Sequence, residues 1–120
     1  MTIRFIHAAD LHLDSPLAGL SRPGEETDEA AALVRSASRH ALSALVDRAI
    51  AEDVAFVLLA GDLWDGTCVD VATGLFFQAQ MRRLRERGIA VYAILGNHDA
   101  ESDVTRTPGL LEDIVLFPKD

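Results

Sequence analysis

Val54-Ala55-Phe56-Val57-Leu58-Leu59-Ala60-Gly61-Asp62-Leu63-Trp64-Asp65 is the stretch on which the reading of this chain turns. Its seven leading apolar residues, bounded by Asp53 and Gly61, predict a strand buried on both faces, the pattern of a parallel sheet. Strands of this kind deliver chemistry at their carboxyl ends. Gly61 permits a sharp turn there, so that Asp62 projects over the sheet edge three residues ahead of a second carboxylate, Asp65. Two other stretches share the design. Ile3-Arg4-Phe5-Ile6-His7-Ala8-Ala9 runs into Asp10-Leu11-His12, and Ile89-Ala90-Val91-Tyr92-Ala93-Ile94-Leu95 runs into Gly96-Asn97-His98-Asp99. Three apolar strands that each lead into an acid-bearing loop predict one composite site, in which Asp62 holds metal.

The 120 residues have the length of one domain, and a hydrophobic content of 49% suffices for a core. No apolar run approaches the length of a bilayer span. Asp10 and His12 interrupt what would have to be the apolar region of a signal peptide. A globular, soluble, cytoplasmic protein without a membrane partner is therefore expected. The single cysteine, Cys68, excludes an internal disulfide framework and reads as a small buried hydrophobe. The net charge of −8, from 11 Lys and Arg against 19 Asp and Glu, lacks the basic footprint that phosphate-backbone binding leaves. Several of those carboxylates are candidate metal ligands, however, and a bound divalent cation reverses the local field that a phosphate meets. Composition alone leaves the substrate open.

Taken in order, strand one over residues 3 to 9 ends at Asp10-Leu11-His12. In extended backbone residues i and i+2 share a side, so Asp10 and His12 both face one ion while Leu11 faces the core. His7 reads as a hydrogen-bonded core histidine. Asp14 reads first as a turn former and second as a partner that orients His12. After loop chemistry over residues 17 to 26, a helix is predicted over 27 to 52. Leu33, Val34, Ala37, Ala41, Leu42, Leu45, Val46, Ala49 and Ile50 form its inner face, and Arg35, Ser36, Arg39, His40, Ser43 and Asp47 its outer one.

Beyond the Asp62 loop, Thr67-Cys68-Val69-Asp70 matches a capping box and starts a second helix that runs to Arg87, with Gly88 closing it. Val71, Leu75, Phe76, Phe77, Ala79, Met81 and Leu84 surround so much of that helix that heavy burial is expected. Arg82, Arg83, Arg85 and Arg87 complement the dipole of its last turns. In the third loop the oxygen of Asn97 is a hard ligand, His98 can protonate a leaving group, and Asp99 can orient that imidazole. A short fourth strand is predicted over 113 to 118. The order is thus βαβαβ plus one strand, an α/β arrangement with right-handed crossovers.

The ordered set Asp-x-His, Gly-Asp-x-x-Asp and Gly-Asn-His-Asp, each after an apolar strand, resembles the first three motifs of the calcineurin-like metallophosphoesterase superfamily. The closer likeness is to its DNA-repair exonuclease branch related to SbcD. It rests on Phe5-Ile6-His7-Ala8-Ala9-Asp10-Leu11-His12-Leu13-Asp14-Ser15-Pro16, on Phe56 through Gly66, and on Gly96-Asn97-His98-Asp99-Ala100-Glu101-Ser102. The resemblance implies a metallophosphoesterase-type β-sandwich flanked by helices, of which residues 1–120 supply the N-terminal half of an exonuclease domain. By that likeness Asp10 and His12 hold a first metal, Asp62 bridges two, and Asn97 binds the second. His98 then assists the leaving group at the scissile phosphate, with Asp99 beside it. Asp65 matches a position where some members carry histidine, and with Asp14 it is a candidate supporting residue.

The cofactors implied are two divalent ions, manganese first and magnesium or another divalent ion otherwise. The implied reaction is two-metal phosphodiester hydrolysis, with DNA as substrate and an ATPase of the structural-maintenance type as partner. Small phosphoesters or nucleotides are the alternative substrates, and a catalytically incomplete protein-binding scaffold is the alternative of another class. The family supplies further histidine ligands from later motifs that end in Gly-His-x-His, whereas the last histidine here is His98. The missing ligands are expected from a longer chain or a partner, unless they are lost or replaced. Half a sandwich also predicts an exposed apolar sheet face and self-association through it.

Overall fold

The computed structural model describes residues 2–14, 28–61, 63, 71–94 and 113–117. Along them run β1 (Phe5–Ala9), α1 (Asp28–Ala51), β2 (Phe56–Ala60), α2 (Val71–Glu86), β3 (Ala90–Ile94) and β4 (Val115–Phe117). The elements are the expected ones within the described residues, and the helix start predicted at Thr67 lies outside them.

The four strands form one parallel sheet in the order β1-β2-β3-β4. A chain that always steps to the next strand in the same direction, with right-handed crossovers, must lay its helices on one face. Both helices do lie there. Leu42, Val46 and Ala49 of α1 share a single buried cluster with Phe77, Met81 and Leu84 of α2 and with Val57, Leu59, Val91 and Ala93 of the sheet.

The two-residue period of a strand then separates the faces. Val57 and Leu59 are buried under the helices, while Phe56, Leu58 and Ala60 point the other way and are half-buried. The expectation that β2 is buried on both faces is therefore met on one. On the second face Phe5, Ile94 and Val115 are 53%, 52% and 50% exposed. Phe5 stacks on Phe56 with ring centroids 5.0 Å apart, and Phe56 meets Tyr92 edge-on at 6.1 Å. His7 belongs to this face as well. It is exposed, not a core histidine, because it shares the parity of Phe5 and Ala9.

Burial on the helices is narrower than their apolar content suggests. In α1 the inner stripe is Leu42, Val46 and Ala49, flanked by Leu45 and Ile50; Leu33 is 72% exposed, and Ala37 and Ala41 are exposed too. Counting back from Leu42 at helical spacing, the inward positions are Ser38 and Arg39, both half-buried. Arg39 thus leaves the outer face assigned to it, whereas His40 is exposed as expected. In α2 the buried residues are Thr73, Gly74, Phe77, Gln80, Met81 and Leu84, a single stripe. Val71 and Leu75 are 74% and 53% exposed, so heavy burial all round is not observed.

Two of the four arginines near the end of α2 have specific partners. Arg83 donates to Asp47 of α1 and, at 2.8 Å, to Gln80, and Arg85 donates to Asp113 at 2.5 Å. The exposed Arg83–Asp47 pair orients its elements more than it stabilises them, whereas Arg85 reaches a carboxylate whose side chain is only 2% exposed. Among the described residues no helix is long and apolar enough to cross a membrane.

The unequal faces have a measurable consequence. Leu59→Ala removes a fully buried side chain from the covered face and is expected to cost about 2–5 kcal/mol. Ile94→Ser on the opposite face should change stability by no more than ~0.5 kcal/mol. Urea unfolding midpoints of the two variants check both values.

Candidate functional site

Because every pairing is parallel and in step, the three strands end level. Ala9 lies opposite Ala60, and Ala60 lies opposite Ile94. Backbone pairing continues past that edge: the Gly61 amide donates to the Ile94 carbonyl at 2.7 Å and the Asp10 amide to the Gly61 carbonyl at 3.3 Å. Gly61 can do this with a φ of 67°, where a side chain would be strained. Two residues on, the Leu13 amide donates to the Leu63 carbonyl at 2.9 Å, and both leucines are buried. The residues that flank Asp62 in sequence, Gly61 and Leu63, are thus each bonded to the segment that carries Asp10 and His12.

That segment is not extended. Asp10, His12 and Asp14 have φ of 55°, 42° and 57°, all in the left-handed region, while Leu11 packs against the core and Leu13 is buried in it. The expected geometry, two ligands on one side of a straight strand, is replaced by an alternation of left-handed polar residues and inward leucines. Aspartate and histidine are among the few residue types that visit this region. Even so each such residue costs about 1–2 kcal/mol, and conformations of this kind persist only where their surroundings over-determine them.

The surroundings here are specific. The Asp14 amide donates to Ser38 Oγ at 2.9 Å. The Asp14 carboxylate, whose side chain is 11% exposed, accepts from Arg39 Nε at 2.8 and 2.9 Å, from Arg39 Nη2 at 2.5 Å, and from the Thr73 hydroxyl at 2.5 Å. The Arg39 guanidinium lies 5.3 Å from the centroid of the Phe76 ring, a cation–π contact. Asp14 is therefore the turn residue expected of it, and in addition it connects the β1 loop to both helices. Ser38, Arg39 and Thr73 are the residues that sequence reasoning missed. The available signal was Arg39 itself, which stands one turn before Leu42 on the stripe that also holds Val46.

A carboxylate and an imidazole one residue apart, Asp10 exposed and His12 half-buried on the loop at the sheet's carboxyl edge, are donors suited to a divalent ion. Among the described residues no three histidine, cysteine, aspartate or glutamate side chains come together. Asp62, Asp65, Asn97, His98 and Asp99 lie outside the described residues.

Comparison with known proteins agrees with this geometry. Residues 3–119 match the calcineurin-like phosphoesterase family. The chain is 45% identical over 97 residues to the uncharacterized metallophosphoesterase YhaO of Bacillus subtilis (strain 168), an alignment that covers 81% of this chain and 23% of that protein. The chain thus spans less than a quarter of the length of the relative it matches.

The turn at Gly61 is the simplest part of this site to test. Gly61→Ala forces a side chain into left-handed backbone and is expected to destabilise by about 1–2 kcal/mol, visible as a lowered urea midpoint.

Proposed function

The chain belongs to the calcineurin-like phosphoesterase family, and on that premise we propose that it is the N-terminal part of a metal-dependent phosphodiesterase acting on DNA as a repair exonuclease. The observation that carries the reading is the level, hydrogen-bonded edge of β1, β2 and β3, from which the three acid-bearing loops depart. Members of the family bind divalent metals and hydrolyse phosphoesters. The opening from Phe5 to Pro16 and the stretches around Asp62 and Asn97 support the exonuclease branch over a phosphatase of small molecules.

In this reading Asp10 and His12 would hold one ion, Asn97 would hold a second, and Asp62 would serve both. Divalent ions, manganese by preference, supply an activated water and offset the charge of the phosphodiester when bound. The imidazole of His98 delivers a proton to the departing oxygen, and the Asp99 carboxylate orients that ring and favours its charged form. Asp65 supports the loop that carries Asp62. The remaining ligands come from beyond these residues, in keeping with a relative more than four times as long as the matched region. A structural-maintenance-type ATPase is the proposed partner of the whole protein, and the cytoplasm its location.

Manganese titration alongside Asp62→Ala tests the centre. Stoichiometric binding that the variant loses supports it; identical behaviour of the two chains rejects it, and leaves the protein-binding scaffold as the better account. Substrate class is read separately, from turnover of single-stranded DNA against a chromogenic phosphodiester. Faster loss of the small ester than of DNA would replace the exonuclease with a phosphodiesterase of small substrates.

A further inference from the structure

We propose that Asp14 is a positioning residue for the metal loop: its carboxylate, clamped between Arg39 of α1 and Thr73 of α2, holds the left-handed backbone that presents Asp10 and His12. The inference rests on the reading of those two residues as ligands. It goes further by making the ligand geometry a property of how the two helices sit.

Three residues of a five-residue segment occupy the left-handed region, and the residues between them, Leu11 and Leu13, are directed into the core. The leucines fix the depth of the loop but leave its twist undetermined at the Asp14 end. That end is closed by contacts of high directionality. A guanidinium fork meets both oxygens of Asp14 from one side, the Thr73 hydroxyl meets Oδ2 from another, and Ser38 Oγ receives the backbone amide.

Arg39 is itself located, by its contact with the Phe76 ring of the second helix. The bidentate geometry is within reach of arginine and not of lysine, whose ammonium is a point donor. Removing the hydroxyl of Thr73, which is 2% exposed, would leave Oδ2 with one partner fewer in a place that water reaches poorly. A rotation of the Asp14 peptide would pass directly into His12, two residues upstream. Groups that hold metal ligands in orientation commonly change affinity by about 10–100-fold when altered.

The test is manganese affinity, measured by electron paramagnetic resonance on the full-length protein that carries these residues and on its Thr73→Val, Thr73→Ser, Arg39→Lys and Asp10→Ala variants. Leu84→Ala serves as a control that loosens the core at the opposite end of the sheet. The clamp predicts affinity lowered at least about tenfold in Thr73→Val and Arg39→Lys, restored in Thr73→Ser, and unchanged in Leu84→Ala. Unchanged affinity in Thr73→Val and Arg39→Lys, with Asp10→Ala abolishing binding, overturns the clamp and leaves the metal centre standing. Equal weakening in Leu84→Ala overturns it as an effect of stability alone. A wild-type chain that binds no better than Asp10→Ala removes the ligand reading, and the clamp with it.

Discussion

The pairing of β2 with both of its neighbours in parallel and in step is the constraint from which the rest of this structure follows. In parallel pairing the hydrogen bonds slant evenly along the strands and the carboxyl ends face one way. Loops distant in sequence therefore leave the sheet at one edge. Here the ends coincide to the residue, Ala9 with Ala60 and Ala60 with Ile94, and the amides of Gly61 and Asp10 carry the pairing one step beyond. A slip of one residue would turn Val57 and Leu59 out of the core, so burial on the helical face enforces the alignment of the functional edge. Core packing and site geometry are the same problem in this chain.

The β1 loop shows what such an edge demands locally. Left-handed backbone at Asp10, His12 and Asp14 departs from what the strand would adopt by continuing, and at Asp14 it meets contacts from both crossover helices. The Asp14–Arg39 pair is a poor device for stability, because withdrawing both charges from water offsets much of their attraction. It is a good device for orientation. The guanidinium plane fixes the carboxylate plane, and the carboxylate fixes the peptide that bears it.

Much of this was legible in the residues, for physical reasons that can be named. Each of the first three strands is a mainly apolar run that ends at Gly61 or at an acid-bearing loop, so their existence and parallel sense could be read. The helices were legible in extent and less so in orientation. Alanines such as Ala37 and Ala41 count as apolar yet gain little from burial, whereas Ser38 and Arg39 turn inward where they meet the Asp14 amide and the Asp14 carboxylate respectively. His7 was misjudged for a related reason: a histidine between apolar residues looks like core until the parity of its strand is known. The alternation of left-handed residues could not be read as such. An Asp-x-His-x-Asp pattern is equally compatible with an extended strand until the backbone settles it. The third loop, with Asn97, His98 and Asp99, and the acids Asp62 and Asp65 of the second, lie outside the described residues.

The two faces of the sheet bear on the site unequally. The face away from the helices carries Phe5, Phe56, Leu58, Tyr92, Ile94 and Val115, with aromatic contacts that run from β1 across β2 to β3. A sheet face designed for water alternates toward polar residues, and this one does not. It has the composition of an inner layer, consistent with the N-terminal half of a metallophosphoesterase fold. Contacts to the β1 loop come from Gly61 and Leu63, just past β2, and from Ser38, Arg39 and Thr73 on the two helices. A second layer would adjoin this aromatic face, while the contacts at Asp14 come from the helical side of the molecule.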